Sequence, residues 1–160
     1  GVDGNLLQIL PAHLYNTFCE VERYRLFADA LPVLEWLRER DIRLGIVSNW
    51  EPWLEQLLCH LDVQRYFDFI VISGTLGIEK PDRRIFVEAA RQAGVAPAEL
   101  LHVGDSPRSD VEGARAAGVN AILLDRTDRY PHVLPRLRSL QELTAQDGLL
   151  AALPKRVVRR

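Results

Sequence analysis

The sequence has little of what would move it away from an ordinary globular domain. Cysteine occurs only at Cys19 and Cys59, far apart and outside any short Cys/His ligand spacing. Structural zinc is therefore disfavoured, no disulfide is supported, and buried thiols are the expectation. Charge of one sign is not in excess: 20 Lys+Arg against 22 Asp+Glu leave a formal net charge of -2, so no polyanion-binding surface and no nucleic-acid partner follow. No apolar run approaches the roughly 20 residues that a membrane helix needs, and the start of the sequence lacks a basic stretch followed by an apolar one. Neither spanning nor secretion is indicated, and a cytoplasmic location is the expectation. Internal repeats and low-complexity linkers are absent as well.

What is present suffices for a full core. The 160 residues are 48% hydrophobic and 26% charged, and a domain of this length buries roughly 70% of its unfolded surface. Short runs rich in Val, Ile, Leu and Phe fall at 44–47, 69–72, 100–103 and 121–124. They alternate with longer stretches of helical period, which predicts an α/β fold with a parallel sheet. The runs are nearly continuous in apolar residues because strands covered on both faces have no solvent side.

Between the strands, Asp29 suits the N-cap of a helix carrying Leu31, Leu34 and Leu37. A second helix starts near Pro52, with Leu54, Leu57, Leu58 and Leu61 as its inward stripe. Pro81 opens a third, whose buried face is Ile85, Phe86, Ala89, Ala90 and Ala93, with Gly94 as a left-handed stop. A fourth runs from about 109 to 117 and stops at Gly118, with Ala114, Ala116 and Ala117 suited to close packing. Before the first strand, Leu6, Leu7, Leu10, Leu14 and Phe18 keep helical spacing, interrupted by Pro11. After the last, a helix is expected around 134–143, then a solvated tail carrying Lys155, Arg156, Arg159 and Arg160.

In an open parallel sheet, ligands gather at the carboxyl ends of the strands, so polar residues just after each apolar run are the informative ones. Ser48 and Asn49 follow the first run directly before a helix; a hydroxyl, an amide and free backbone N–H groups there suit a phosphate or carboxylate, although helix capping explains them equally well. Lys80 immediately precedes the third helix, where a cation opposes the helix dipole, so an anion is expected nearby. Gly104-Asp105-Ser106 ends the third strand, with Asp110 five residues after Asp105. Two carboxylates across such a turn can converge on one divalent cation, and oxygen ligands favour magnesium. His102 reads as a core or strand residue, and Trp36, Trp50 and Trp53 as packing groups, Trp50 being the one suited to a pocket mouth.

Taken in order, Ile46-Val47-Ser48-Asn49, Gly77-Ile78-Glu79-Lys80-Pro81-Asp82 and His102-Val103-Gly104-Asp105-Ser106 with Asp110 resemble the haloacid dehalogenase superfamily over roughly 27–126. The likeness is to its branch with an early helical cap, many of whose members are magnesium-dependent phosphatases. It implies a three-layer Rossmann-like core at 27–150, the end of a helical cap at 1–26 and a basic tail at 151–160. It further implies that Ser48 and Asn49 bind a small phosphorylated metabolite, that Lys80 neutralises the phosphoryl charge, and that Asp105 and Asp110 serve magnesium. Phosphoryl transfer spreads negative charge over equatorial oxygens, which a lysine, a divalent ion and fixed donors would stabilise.

The family's nucleophile is an Asp ending the first strand, in a strand-Asp-x-Asp pattern. Gly1-Val2-Asp3 is the nearest match and is taken as accidental, because no apolar run leads into it. The expectation is that the nucleophile strand lies upstream of this sequence, and that without it the piece is poorly stable or associates with a complementary chain or with itself. The alternative is a non-catalytic module that keeps a phosphate and metal pocket without turnover. A metal-independent dehalogenase is a third possibility, argued against by the Asp105 and Asp110 pair.

Overall fold

The computed structural model describes residues 17–145. The early leucine spacing through Leu14, the Gly1 to Asp3 match and the basic tail lie outside these residues. Among the described residues the strands are β1 (Gly45–Ser48), β2 (Phe69–Ile72), β3 (Leu101–Gly104), β4 (Asn120–Leu124) and β5 (Arg136–Leu137). Every pairing is parallel, in two hydrogen-bonded sheets ordered β1-β2 and β3-β4-β5. Ser48 lies opposite Ile72, and Gly104 opposite Leu123. The carboxyl ends of β1 and β3 carry the strand-end residues singled out above.

The helices are α1 (Ala30–Arg38), α2 (Leu54–His60), α3 (Ser73–Leu76), α4 (Arg83–Ala93) and α5 (Gly113–Ala116). They form two layers around the strands. Along β4, Ala121 and Leu123 face one core with α4 and α5, whereas Ile122 faces another with Val33 and Leu37 of α1. Along β2, Val71 joins the α4 side and Ile72 packs with Leu54, Leu57 and Leu58 of α2. This alternation is the period of two expected of strands covered on both faces.

α4 binds the two sheets together. Its apolar positions Ile85, Phe86, Ala89, Ala90 and Ala93 are all buried, and Ile85, Phe86 and Ala89 share one core with Val71 of β2 and with Ala121 and Leu123 of β4. Burying a side chain the size of Ile85 or Phe86 contributes about 1.5–3 kcal/mol, so α4 supplies cohesion where β1 and β3 are not paired with each other. Asp82 caps this helix by accepting the Arg84 amide at 2.9 Å, and Gly94 ends it in the left-handed region at φ 67°. Pro81 thus precedes the cap instead of opening the helix. No helix among the described residues is long and apolar enough to cross a membrane.

The structure corrects several local expectations. Asp29 makes no side-chain cap to α1, because its carboxylate is drawn to residues near the far end of the described chain. Leu31 is exposed, and the inward side of α1 is Val33 and Leu37, with Leu34 partly buried against the α2 side. The fourth helix is a π-helical turn over Pro107–Glu112 followed by the short α5, and Ala116 is exposed. In place of a helix around 134–143 there are β5 and a 3-10 turn at Leu140–Leu143, with Leu137 and Leu143 buried and Leu134 exposed. Pro135 ends any helical reading there, since it lacks the N–H that a helix interior needs. Cys59 is exposed and Cys19 half-buried, so neither thiol is fully buried.

Candidate active site

The site forms where β1 and β3 end. Lys80, on the loop entering α4, extends its ammonium to the Val47 carbonyl of β1 at 2.9 Å and to Asp110 Oδ1 at 2.6 Å. Lys80 and Asp110 retain only 11% and 4% side-chain exposure. The anion required beside a lysine at this helix entrance is thus Asp110. Taking two charges out of water costs several kcal/mol per ion, so such a pair contributes little to net stability, whereas removing one partner costs about 3–5 kcal/mol. The pair is better explained as placing an amine than as holding the fold.

Each partner is fixed by its own surroundings. Asn49 accepts the Lys80 amide at 2.7 Å and donates to the Lys80 carbonyl at 2.9 Å. The Asn49 carboxamide, expected at the substrate, thus clasps the Lys80 backbone and so sets where the lysine starts. Past the lysine, Pro81 packs on Gly113, where an added Cβ would lie 2.9 Å from Pro81 Cα. That close approach ties the lysine loop to the helix following Asp110.

Asp110 sits in the π-helical turn, a wide and rare geometry frequent at functional sites. Its Oδ2 accepts the Ser106 amide at 2.9 Å, and its Oδ1 faces His102 Nε2 at 2.9 Å as well as Lys80. β3 can come this close only because residue 104 has no side chain: a Cβ there would lie 2.2 Å from Asp110 Cγ. Burial by itself would raise the Asp110 carboxyl, but the His102 hydrogen bond, the Lys80 charge and hydrogen bond, and the Ser106 amide outweigh it. They hold Asp110 well below the usual carboxylate range.

The structure therefore brings Lys80, Asn49 and Asp110 into direct contact, with Ser48 next to the Val47 carbonyl and Asp105 between Gly104 and Ser106. Ser48 is half-buried and Asp105 exposed. Asp110 is turned inward to Lys80, His102 and Ser106, and Asp105 is the more accessible of the two carboxylates expected to serve magnesium. Among the described residues no three His, Cys, Asp or Glu side chains gather as a metal-holding group. Asp105 is the exposed carboxylate at the end of β3.

His102 is the contact that reading the sequence missed. It was expected in the strand, and it is there, but its side chain reaches the site. The available signal was a lone polar residue in an apolar strand, two positions before Gly104 and hence on the same face. Trp50 does not open onto a mouth: it packs with Trp53, Phe18 and Tyr24 at centroid separations of 5.4–6.2 Å.

Comparison with known proteins agrees with this geometry. The chain is 36% identical over 162 residues to haloacid dehalogenase-like hydrolase domain-containing protein 3 of Mus musculus, covering 95% of this chain and 64% of that protein. It is 41% identical over 137 residues to a phosphoserine phosphatase of Thermus thermophilus, covering 82% of this chain and 55% of that one. The chain thus spans less than two thirds of the length of either relative. Among solved structures, a HAD phosphatase from Thermococcus onnurineus matches with a TM-score of 0.74 and 31% identity, over 82% of this chain and 66% of the other. The family model for haloacid dehalogenase-like hydrolases matches residues 4–118, and with strand ends, lysine and paired acids arranged as described, the chain belongs to the haloacid dehalogenase-like hydrolase family.

Proposed function

We propose that this chain forms the phosphoryl-binding core of a phosphatase acting on a small phosphate monoester. The observation that carries the reading is the Lys80 ammonium held between the Val47 carbonyl and Asp110. An ammonium has three N–H groups, and these two contacts leave one for a ligand beside Ser48. A phosphate monoester bound there meets the lysine N–H and the Ser48 hydroxyl, and both become stronger partners as charge spreads over the transferring group. Asp110 holds the Lys80 ammonium in place. It is not the attacking group, because both of its oxygens are already engaged.

Relatives named as phosphatases support the same substrate class. In an aspartyl-phosphate route a separate carboxylate attacks phosphorus, the ester P–O bond breaks with proton transfer to the leaving alcohol, and water then cleaves the acyl phosphate. A magnesium ion would be held in part by Asp105, the exposed carboxylate at this strand end, and would supply further positive charge to the transferring group.

Inorganic phosphate binding, measured by calorimetry, tests the reading together with hydrolysis of p-nitrophenyl phosphate. The expected result is binding by the wild-type protein that Lys80→Met and Ser48→Ala weaken. Equal affinity in all three proteins would overturn it. Hydrolysis is read on the parent protein with its upstream segment, where binding without turnover would favour the non-catalytic alternative.

A further inference from the structure

We propose that His102 is a positioning residue for the Lys80 ammonium, acting through the Asp110 carboxylate. The inference rests on the phosphoryl-binding reading of Lys80 and extends it to a side chain outside the strand-end motifs. His102 Nε2 lies 2.9 Å from Asp110 Oδ1, the same oxygen that accepts Lys80 Nζ at 2.6 Å. A carboxylate offers only acceptors, so Nε2 carries the proton in this contact.

With Ser106 N on Oδ2, the carboxylate is gripped at both oxygens. Loss of the His102 bond leaves one backbone amide and the flexible lysine itself to orient it. The imidazole is in turn fixed: it is 13% exposed, stands on β3, and meets the Phe86 ring edge-on at 5.1 Å and 78°. Phe86 belongs to α4, the helix that Lys80 precedes, so one rigid element backs both donors to Asp110 Oδ1.

A purely packing histidine predicts something different. In a strand flanked by Leu101 and Val103, an apolar residue of similar volume would fill the space and remove a polar ring whose burial needs a partner. The structure instead directs that ring to the one oxygen that also holds the catalytic-site cation.

The test compares His102→Leu with His102→Gln in the full chain, because a glutamine amide nitrogen can reach the place of Nε2. Three quantities are read: inorganic phosphate affinity, the melting temperature, and the NMR signal of the Lys80 ammonium, which persists only while its protons are shielded and held. His102→Leu is expected to weaken phosphate binding roughly tenfold, about 1.4 kcal/mol, and to erase the ammonium signal. His102→Gln is expected to restore both, whatever the melting temperature of either variant. An unchanged ammonium signal in His102→Leu, or a glutamine variant that behaves like leucine, would overturn the inference. If Lys80→Met abolishes phosphate binding while His102→Leu leaves it intact, the positioning role alone fails. If Lys80→Met has no effect on phosphate, the phosphoryl-binding reading fails, and the ammonium signal still judges the positioning.

Discussion

Asp29 and Asp110 are both buried aspartates held by cations, and the contrast between them separates a clamp from a site. Asp29 accepts a forked pair of bonds from Arg126 at 2.7 and 2.9 Å, the Ser139 hydroxyl at 2.8 Å and the Leu140 amide at 2.8 Å. The guanidinium also lies over the Phe27 ring at 4.1 Å. This arrangement closes the start of α1 onto Arg126, just past β4, and onto the segment after β5, 97 to 111 residues away in sequence, and leaves neither carboxylate oxygen free. Asp110 instead faces a lysine, a point charge on a flexible stem with an N–H to spare. Arginine's planar fork suits a fixed joint, and lysine's single ammonium suits a group that must also meet a ligand.

Acid is the broadest way to break the comparison, because it removes both arrangements together. The Arg126 hydrogen bond leads in holding the Asp29 carboxyl well below the usual range, and Asp110 is held low against its burial by His102, Lys80 and Ser106. Both folded values lie below the unfolded one of about 3.9. Each carboxylate therefore contributes stability that is complete above that value and is lost as pH falls through its folded value. Urea midpoints of the wild type should fall steeply below pH 4, and those of Asp29→Asn less steeply over the same interval.

Single substitutions then separate the two. Arg126→Ala should cost about 3–5 kcal/mol in urea unfolding, the expected loss when one partner leaves a buried pair, with phosphate affinity per folded molecule unchanged. Lys80→Met should destabilise by about 3 kcal/mol and also remove phosphate binding, so calorimetry, not stability, distinguishes it from Arg126→Ala. A Gly104→Ala variant drives a Cβ into Asp110, and overpacking of this kind costs about 1–3 kcal/mol. Because the displaced group is Asp110, phosphate binding should weaken with it. The smallest effect is expected at Gly77, where φ is 70° and an added Cβ meets nothing within 4 Å. Gly77→Ala should cost about 1 kcal/mol from the left-handed backbone alone and leave phosphate affinity unaltered.

Much of the scaffold was legible because its signals are local. The runs that became β1 to β4 carry Val, Ile, Leu and Phe where strands must be apolar on both faces, and α4 presents its apolar stripe at helical spacing. Gly94 and Gly118 take the left-handed conformations their positions suggested. Legibility failed where a distant partner decides the outcome. Asp29 carries every local mark of a cap, yet Arg126, Ser139 and Leu140 compete for its oxygens and win by number and charge. The segment around 134–143 has leucines at near-helical spacing, yet Pro135 and pairing of Leu137 with Leu124 of β4 make it a strand.

At the site the division is the same. Which residues stand at the strand ends and helix entrances, Ser48, Asn49, Lys80, Asp105 and Asp110, followed from the alternation of apolar runs and helical stretches along the chain, since that pattern is written in neighbouring residues. Their division of labour was decided only in three dimensions. Asn49 turns to the Lys80 backbone, Asp110 turns inward, Asp105 stays in solvent, and His102 joins from within β3. The physical reason is that a buried polar group takes whichever partners the packed elements bring within about 3 Å, and sequence neighbours do not determine which those are.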